Sequence, residues 1–232
     1  MIPLPHTRTP VPFGRLENRQ APARLIRMLL MAVAALLGGA AGAAQAQTSF
    51  SAEDGAFTVD LPSDWVRIPA LELYLVEHPG PAVPVSPGDL AAFKKTHYGF
   101  QKPAEKWFTL PYCVITLESG KKRGPQELFM DHLLAEKDSQ DAASPSDPNY
   151  KFLEKEQLPM RRMHYYKDVT YSAAQGKPVA MGVYTFLTSQ GFLRAAWFVG
   201  EDQRRDYEDT LHQAMLGIRL APGLEYKPEG KP

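Results

Sequence analysis

Apolar and polar residues alternate in three closely spaced runs in the last third of the chain. These runs span residues 160–171, 179–188 and 192–199. Turn-forming residues separate them at 175–177 and 189–191, which is the pattern of consecutive antiparallel strands. We therefore predict an antiparallel meander over this part of the chain.

The apolar pattern changes to a helical period after the third run. From about Asp202 the apolar residues recur every three to four positions, which places them on one face of an α-helix. Asp209 falls away from that face, and the helix is expected to end at Gly217 or soon after. The predicted apolar stripe consists of Tyr207, Leu211, Ala214, Met215 and Ile218.

Short strands are also predicted near residue 50. Residues 50–61 read as two strand-like pieces on either side of a turn at residues 53–55. Alternation in the second piece places three apolar side chains on one face, namely Phe57, Val59 and Leu61. This face is expected to point into the core.

Proline, glycine and a helix cap organise the next part of the chain. Residues 79–88 contain four Pro and two Gly, which predicts an irregular loop. Asp89 is the predicted N-cap of a short helix that ends near Lys95. Residues 107–117 then predict a buried strand that contains Cys113.

A second internal helix is predicted where Pro125 stands at a first helical position and an acidic residue follows in the first turn. Its apolar residues continue to about Lys137. Residues 139–149 are polar and contain few apolar side chains, so we expect an exposed loop there.

The first 46 residues have the layout of a secretory signal peptide. Two arginines precede an uncharged apolar stretch, and small residues follow it. The motif Ala44-Gln45-Ala46 before Gln47 is an A-x-A cleavage site in the expected place. Residues 28–46 carry no charge, so an uncleaved membrane anchor is the alternative to cleavage. We therefore expect a periplasmic or secreted protein, with membrane attachment only through an uncleaved leader.

Charge and cysteine content restrict the possible partners and stabilising bonds. The 232-residue chain has 26 basic and 26 acidic residues, and removal of residues 1–46 leaves 21 basic and 25 acidic. A mildly acidic domain with interspersed charges does not predict a nucleic-acid partner. The basic runs 121–123 and 161–162 are short and are expected to be solvated loop ends. Cys113 is the single cysteine, so we expect a buried core thiol and no internal disulfide.

The predicted organisation is a signal peptide at 1–46, one domain at 47–221 that contains the loop at 139–149, and a C-terminal tail at 222–232. A chain of this length can bury a single core. No repeat is visible within it.

Two segments of the sequence resemble the PsbP-like fold family, which includes DcrB-type bacterial envelope proteins. Residues 57–65 are similar to the family's opening strand with its Pro-x-x-Trp corner, and residues 179–219 follow its closing order of strand, strand and amphipathic helix. The resemblance implies an α+β fold in which an antiparallel β-sheet is packed between α-helices, a PsbP-like α/β/α sandwich. It implies no particular function, because members of the family do unrelated jobs.

Candidate chemistry is sparse, and no catalytic residue, metal ligand or cofactor site is predicted. Aromatic residues crowd the meander, where one sheet face could present His164, Tyr166 and Tyr184. These side chains could simply pack, or they could line a shallow groove for a small ligand or a peptide. The sequence therefore favours a non-enzymatic envelope protein that binds another envelope protein or a small ligand. A periplasmic hydrolase assembled from dispersed residues is the alternative.

Overall fold

The computed structural model describes residues 46–79, 85–119 and 150–227, together with residues 126, 127, 129, 130, 133 and 148. The strands are β1 (Gln47–Ser51), β2 (Phe57–Pro62), β3 (Val66–Ile68), β4 (His97–Gln101), β5 (Tyr112–Ser119), β6 (Lys151–Leu158), β7 (Met163–Ser172), β8 (Lys177–Leu187), β9 (Gly191–Gly200) and β10 (Arg219–Leu220). The helices are α1 (Ala70–Glu77), α2 (Pro87–Lys94) and α3 (Arg204–Leu216).

The strands form two antiparallel sheets. The larger sheet has the order β3-β4-β5-β9-β8-β7-β6, and the smaller has the order β1-β2-β10. The predicted meander is confirmed, because β7, β8 and β9 are neighbours joined in sequence order. The α+β fold expected from the sequence is confirmed as well.

The main core lies between one face of the large sheet and a layer formed by α3 and the small sheet. We call this face the α3 face. Trp197 of β9 and Tyr184 of β8 are both fully buried there, and the Phe57 ring of β2 meets the Tyr98 ring of β4 edge to face at 5.1 Å. The alternation predicted for β2 is confirmed, since its three inward side chains are at most 1% exposed: Phe57, Val59 and Leu61.

The opposite face of the large sheet carries α1 and α2 at its β3–β4 edge. Leu73 of α1, Phe93 of α2 and Ile68 of β3 form a separate buried cluster there. Helices therefore lie on both faces of the sheet, as the sequence resemblance implies. No helix among the described residues is long and apolar enough to cross a membrane.

The helical period at the end of the chain predicts α3 correctly. Leu211 and Met215 are fully buried, Ala214 is buried beside them, and Asp209 is exposed. A 3-10 turn at Glu201–Gln203 leads into the helix, which ends before Gly217.

The start of α2 differs from the expected one. Its N-cap is Ser86, whose hydroxyl accepts a hydrogen bond from the Asp89 backbone N–H at 3.1 Å and donates to the Asp89 carboxylate at 2.7 Å. Pro87 is the first helical residue, so the prediction of Asp89 as N-cap is wrong by three positions. The Ser86 hydroxyl therefore caps the helix, and Asp89 is an acidic residue of the first turn.

Several other boundaries differ or lie outside the described residues. The strand predicted from residue 107 begins at Tyr112 as β5, and Trp107 is 39% exposed. Residues 126, 127, 129, 130 and 133 are helical, and the rest of the helix predicted to residue 137 lies outside the described residues. The predicted leader up to residue 45, residues 80–84 of the first loop, and the loop at 139–149 apart from residue 148 also lie outside them.

The segment after α3 returns to the domain before it ends. β10 pairs with β2, Leu224 is 8% exposed, and Glu225 forms an isolated bridge with Thr188. The Ser189 backbone N–H donates to the Leu224 carbonyl at 2.9 Å. Residues 222–227 are thus packed against the end of β8. The sequence instead predicts that a tail starts at residue 222.

We expect Cys113 to react slowly with thiol reagents in the native protein. Its side chain is fully buried in β5, and burial raises the pKa of the thiol well above its ordinary value of 9.0. Because the thiolate is the nucleophile, both effects suppress reaction. Labelling with a chromogenic disulfide reagent should be slow until denaturant is added. Fast labelling without denaturant would contradict this prediction.

Candidate functional site

The structure does not bring the three predicted binding residues to one face. In the antiparallel register of β7 and β8, Tyr165 lies opposite Tyr184, whereas His164 lies opposite Thr185. Tyr184 therefore lies on the α3 face, and His164 and Tyr166 lie on the opposite face. The alternation within β7 is as expected, but the one-residue offset between strands separates Tyr184 from the other two.

Tyr184 is the centre of a hydrogen-bonded chain that joins the sheet to α3. The Trp197 indole N–H donates to the Tyr184 hydroxyl oxygen at 3.1 Å. The same hydroxyl lies 2.7 Å from Nδ1 of His212 on α3. Because its oxygen accepts from the indole, the hydroxyl proton is available to the imidazole, so the indole N–H, the hydroxyl and Nδ1 of His212 each have a partner.

A second cluster of polar side chains lies beside this chain. The Tyr165 hydroxyl contacts the Glu154 carboxylate at 2.5 Å and the Glu156 carboxylate at 2.9 Å. The Lys167 ammonium binds Glu154 at 2.9 Å and Glu208 of α3 at 3.1 Å, and its side chain is only 7% exposed. Two carboxylates therefore bind one largely buried cation and join β6, β7 and α3.

The electrostatics of these residues favour fixed protonation states. Burial, together with the nearby Lys167 charge, lowers the pKa of His212, so its imidazole is neutral at neutral pH. Burial raises the pKa of Tyr184 well above its usual range. Burial and the adjoining carboxylates do the same for the pKa of Tyr165. A neutral phenol and a neutral imidazole that bond each other are suited to holding α3 on the sheet.

The opposite face contains a buried carboxylate. Asp168 is 2% exposed, and its Oδ1 atom has no hydrogen-bond partner among the described residues. Burial raises the pKa of this carboxyl from 3.8 to about 6. Nearby, Tyr166 packs with Val183 and Ala196 in a small buried cluster. This part of the face is packed sheet surface, so the described residues form no open aromatic groove there.

We expect Asp168→Asn to stabilise the protein at pH 7.5 and to have little effect at pH 4. The folded-state pKa lies above the unfolded value, so the stability that the neutral carboxyl contributes is complete below about pH 4 and lost as the pH rises through about 6. The rise from 3.8 to about 6 corresponds to about two tenfold changes in proton affinity at about 1.4 kcal/mol each, so we expect a gain of up to about 3 kcal/mol at pH 7.5. Urea unfolding at both pH values measures it.

The exposed Asp209 of α3 provides the control for this prediction. Asp209→Asn removes the same charge from the surface and should change the stability by less than about 0.5 kcal/mol at either pH. If both variants gained the same unfolding free energy at pH 7.5, burial of Asp168 would not be the cause of the gain.

One arrangement has the order of a hydrolytic triad. The Thr96 hydroxyl lies 2.8 Å from Nδ1 of His97, and Nε2 of His97 lies 3.1 Å from the Glu77 carboxylate. However, the Thr96 hydroxyl donates to the Phe93 carbonyl at 3.2 Å, so it accepts from His97. The His97 ring also stacks on the Phe93 ring at 3.9 Å. These contacts tie β4 to α1 and α2.

The sequence did not predict a cleft that lies where β7 begins and β8 ends. It has a volume of about 420 Å³ and is formed by the turn before β7, the end of β8, and residues 218–226. Three arginines line it, namely Arg161, Arg162 and Arg219. The basic pair at 161–162 was expected to be solvated, but Arg162 is half-buried and bonded to the C-terminal segment.

Comparison with known proteins gives matches in structure alone. No family model matches the chain, and no curated protein sequence matches it significantly. The yeast (Saccharomyces cerevisiae) Ran-binding protein Mog1p is 11% identical with a TM-score of 0.42, over 76% of this chain and 96% of its own. LpqN of Mycobacterium tuberculosis, described as involved in cell envelope biogenesis, is 13% identical with a TM-score of 0.43, over 76% of this chain and 91% of its own.

The PsbP protein of the cyanobacterium Synechocystis is also similar in structure. It is 10% identical with a TM-score of 0.41, over 80% of this chain and 99% of its own. The α+β assignment rests on the strands and helices described above, and the PsbP that the sequence resembles is among the structures similar to this chain.

Proposed function

We propose that this chain is an exported, non-enzymatic envelope protein that binds or supports another envelope component. The order of basic, apolar and small residues in the leader supports export, with cleavage after Ala46. The mildly acidic composition beyond the leader supports a protein or small-molecule partner over a nucleic acid.

The observation that carries the non-enzymatic part of the proposal is the closed hydrogen-bond chain between the sheet and α3. A hydrolase that uses a tyrosine or a histidine needs that group to be able to approach a substrate. The Tyr184 hydroxyl and the Nδ1 atom of His212 instead bond each other, and Trp197 occupies the remaining side of the hydroxyl. Burial lowers the pKa of His212 and raises the pKa of Tyr184, which favours the neutral form of both, and we therefore assign this imidazole and this phenol a role in stabilising the fold.

The alternative is a periplasmic hydrolase, which the order of Thr96, His97 and Glu77 favours. In that mechanism His97 would have to accept the Thr96 proton, with Glu77 orienting the ring. The proposal and the alternative make opposite predictions for the variant Thr96→Val, which would abolish ester hydrolysis only if Thr96 is a nucleophile.

Export and partner binding are tested together on the full chain. Expression with its own leader, followed by fractionation and intact-mass measurement, should recover a soluble periplasmic species that begins at Gln47. Cross-linking of that species in cells should then capture a defined envelope component in stoichiometric amount. Protein that keeps residues 28–46 in the membrane pellet would contradict cleavage and favour the anchor.

Enzyme activity is tested with the same purified protein. A panel of chromogenic ester, phosphate and glycoside substrates should show no turnover above that of the Thr96→Val variant. Turnover that this variant abolishes would contradict the non-enzymatic proposal and establish the hydrolase.

A further inference from the structure

The arginine-lined cleft is built by three separate parts of the chain. The 3-10 turn Pro159–Arg161 closes one side, and the junction between α3 and β10 closes another. Tyr226 of the returning C-terminal segment lines a third side. The volume of about 420 Å³ is in the range of small-molecule sites.

Arg162 is held in a defined position at this cleft. Its backbone has φ of 50°, a left-handed conformation that is uncommon for a residue with a side chain. The Leu187 backbone N–H donates to the Arg162 carbonyl at 2.9 Å, which ties this turn to β8. The Arg162 guanidinium stacks over the Tyr226 ring at 4.9 Å and donates to the Tyr226 carbonyl at 2.9 Å. The Arg162 guanidinium has five N–H groups, and the Tyr226 carbonyl accepts from one of them. Other N–H groups of Arg162 can therefore donate to a ligand.

The charges of the described residues at the cleft leave a net excess of positive groups. Arg219 is neutralised by Asp60, whose carboxylate receives two of its N–H groups at 2.8 and 3.2 Å. Arg161 is exposed, and no ion pair joins it to a described residue. Glu225 is the one carboxylate among the described residues that line the cleft. Arg161 and Arg162 together therefore exceed the one opposing charge.

Apolar side chains form the remaining wall. Phe186, Leu187 and Ile218 line the cleft but are at most 9% exposed, so the apolar surface open to a ligand comes mainly from the half-buried Leu220 and the fully exposed Met160. Charged donors next to an apolar wall suit a ligand that has an anionic head and an apolar body.

We propose that this cleft binds a phosphate monoester carried on a short apolar chain. The guanidinium groups of Arg161 and Arg162 exceed the Glu225 carboxylate by one positive charge, which attracts a phosphate monoester, and their N–H groups can donate to its oxygens in pairs. The inference rests on the proposed function, because it treats the cleft as a binding site. The monoester could belong to a soluble molecule or to the headgroup of a lipid.

Calorimetric titration with hexyl phosphate tests this inference. The intact protein should bind hexyl phosphate more tightly than inorganic phosphate, because only the former contacts the apolar wall. The double variant Arg161→Gln, Arg162→Gln should bind hexyl phosphate at least about tenfold more weakly, since hydrogen bonds to charged groups contribute about 1.5–3 kcal/mol each. The single variant Arg161→Gln changes an exposed side chain, so it reports on binding even if the double variant does not fold.

The matched control is Arg205→Gln, which removes an exposed arginine of α3 outside the cleft. Its affinity for hexyl phosphate should stay within about twofold of the original. Absence of hexyl phosphate binding, or equal losses in Arg161→Gln and Arg205→Gln, would overturn the inference.

Vesicles distinguish the two sources of the monoester. Flotation with phosphatidylcholine vesicles that contain phosphatidic acid, dependent on Arg161, would identify a lipid headgroup as the ligand. Binding of hexyl phosphate without flotation would identify a soluble monoester. Capture of an envelope component by the Arg161→Gln variant would leave the proposed function intact even where the cleft fails. Release of inorganic phosphate from hexyl phosphate would contradict the proposed function.

Discussion

The variant Leu211→Ala is expected to lose about 2–5 kcal/mol of unfolding free energy. Leu211 is fully buried at the centre of the α3 stripe, between Tyr207 and Met215, and belongs to the main core. Its truncation leaves a cavity that the surrounding β-sheet cannot fill. Since a whole domain is stable by only about 5–15 kcal/mol, urea or thermal unfolding should show a large change.

The control for this prediction lies two residues away on the same helix. Asp209 is exposed, so Asp209→Ala should stay within about 0.5 kcal/mol of the original stability. Equal destabilisation by the two substitutions would mean that α3 does not bury the face described above.

The variant Trp197→Ala should lose about 3–5 kcal/mol, the range for a buried aromatic residue cut to alanine. The indole is fully buried and lies against Gly182, where an added Cβ would come within 2.5 Å of the ring. The substitution also removes the N–H that donates to the Tyr184 hydroxyl. Chemical denaturation followed by far-ultraviolet circular dichroism measures the loss without relying on tryptophan fluorescence.

Trp107 offers a matched control for the same chemical change. It is 39% exposed and lies outside the core clusters. Trp107→Ala should therefore cost less than about 1 kcal/mol. If both tryptophan variants were equally unstable, the central position assigned to Trp197 would be wrong.

The spacing of apolar residues predicts those helices and strands that bury one face against the core. The alternation at Phe57, Val59 and Leu61 and the helical stripe around Leu211 both correspond to buried faces. In these segments burial follows sequence spacing, because the element packs against a single apolar layer. The meander is predicted for the same reason, with turn residues between its strands.

α1 and β6 are among the elements that the sequence does not predict, because their side chains do not follow that rule. In α1 only Leu73 is buried, while Leu71, Leu75 and Val76 are exposed, so no helical stripe is visible. β6 is an edge strand that carries Lys151, Glu154, Lys155 and Glu156, and its charges resemble those of a loop. Charged side chains on an edge strand discourage pairing with other chains.

The candidate site depends on contacts that spacing does not encode. Alternation separates the faces of β7 correctly, but the pairing of Tyr165 with Tyr184 depends on the register between β7 and β8. Likewise, nothing near Arg162 in the sequence indicates that Tyr226, 64 positions away, supplies its acceptor. Long-range pairing of this kind is set by the whole fold.

The three-stranded sheet constrains when the domain can finish folding. β2 pairs with β1 on one side and with β10 on the other, and Arg219 reaches Asp60 across 159 positions of sequence. A ribosome or a translocation channel delivers the first strands long before the last. The β10 side of β2 therefore stays unpaired until almost the whole chain has emerged, and the final step of folding follows delivery. The small sheet is therefore completed only after the last residues of the domain have been released.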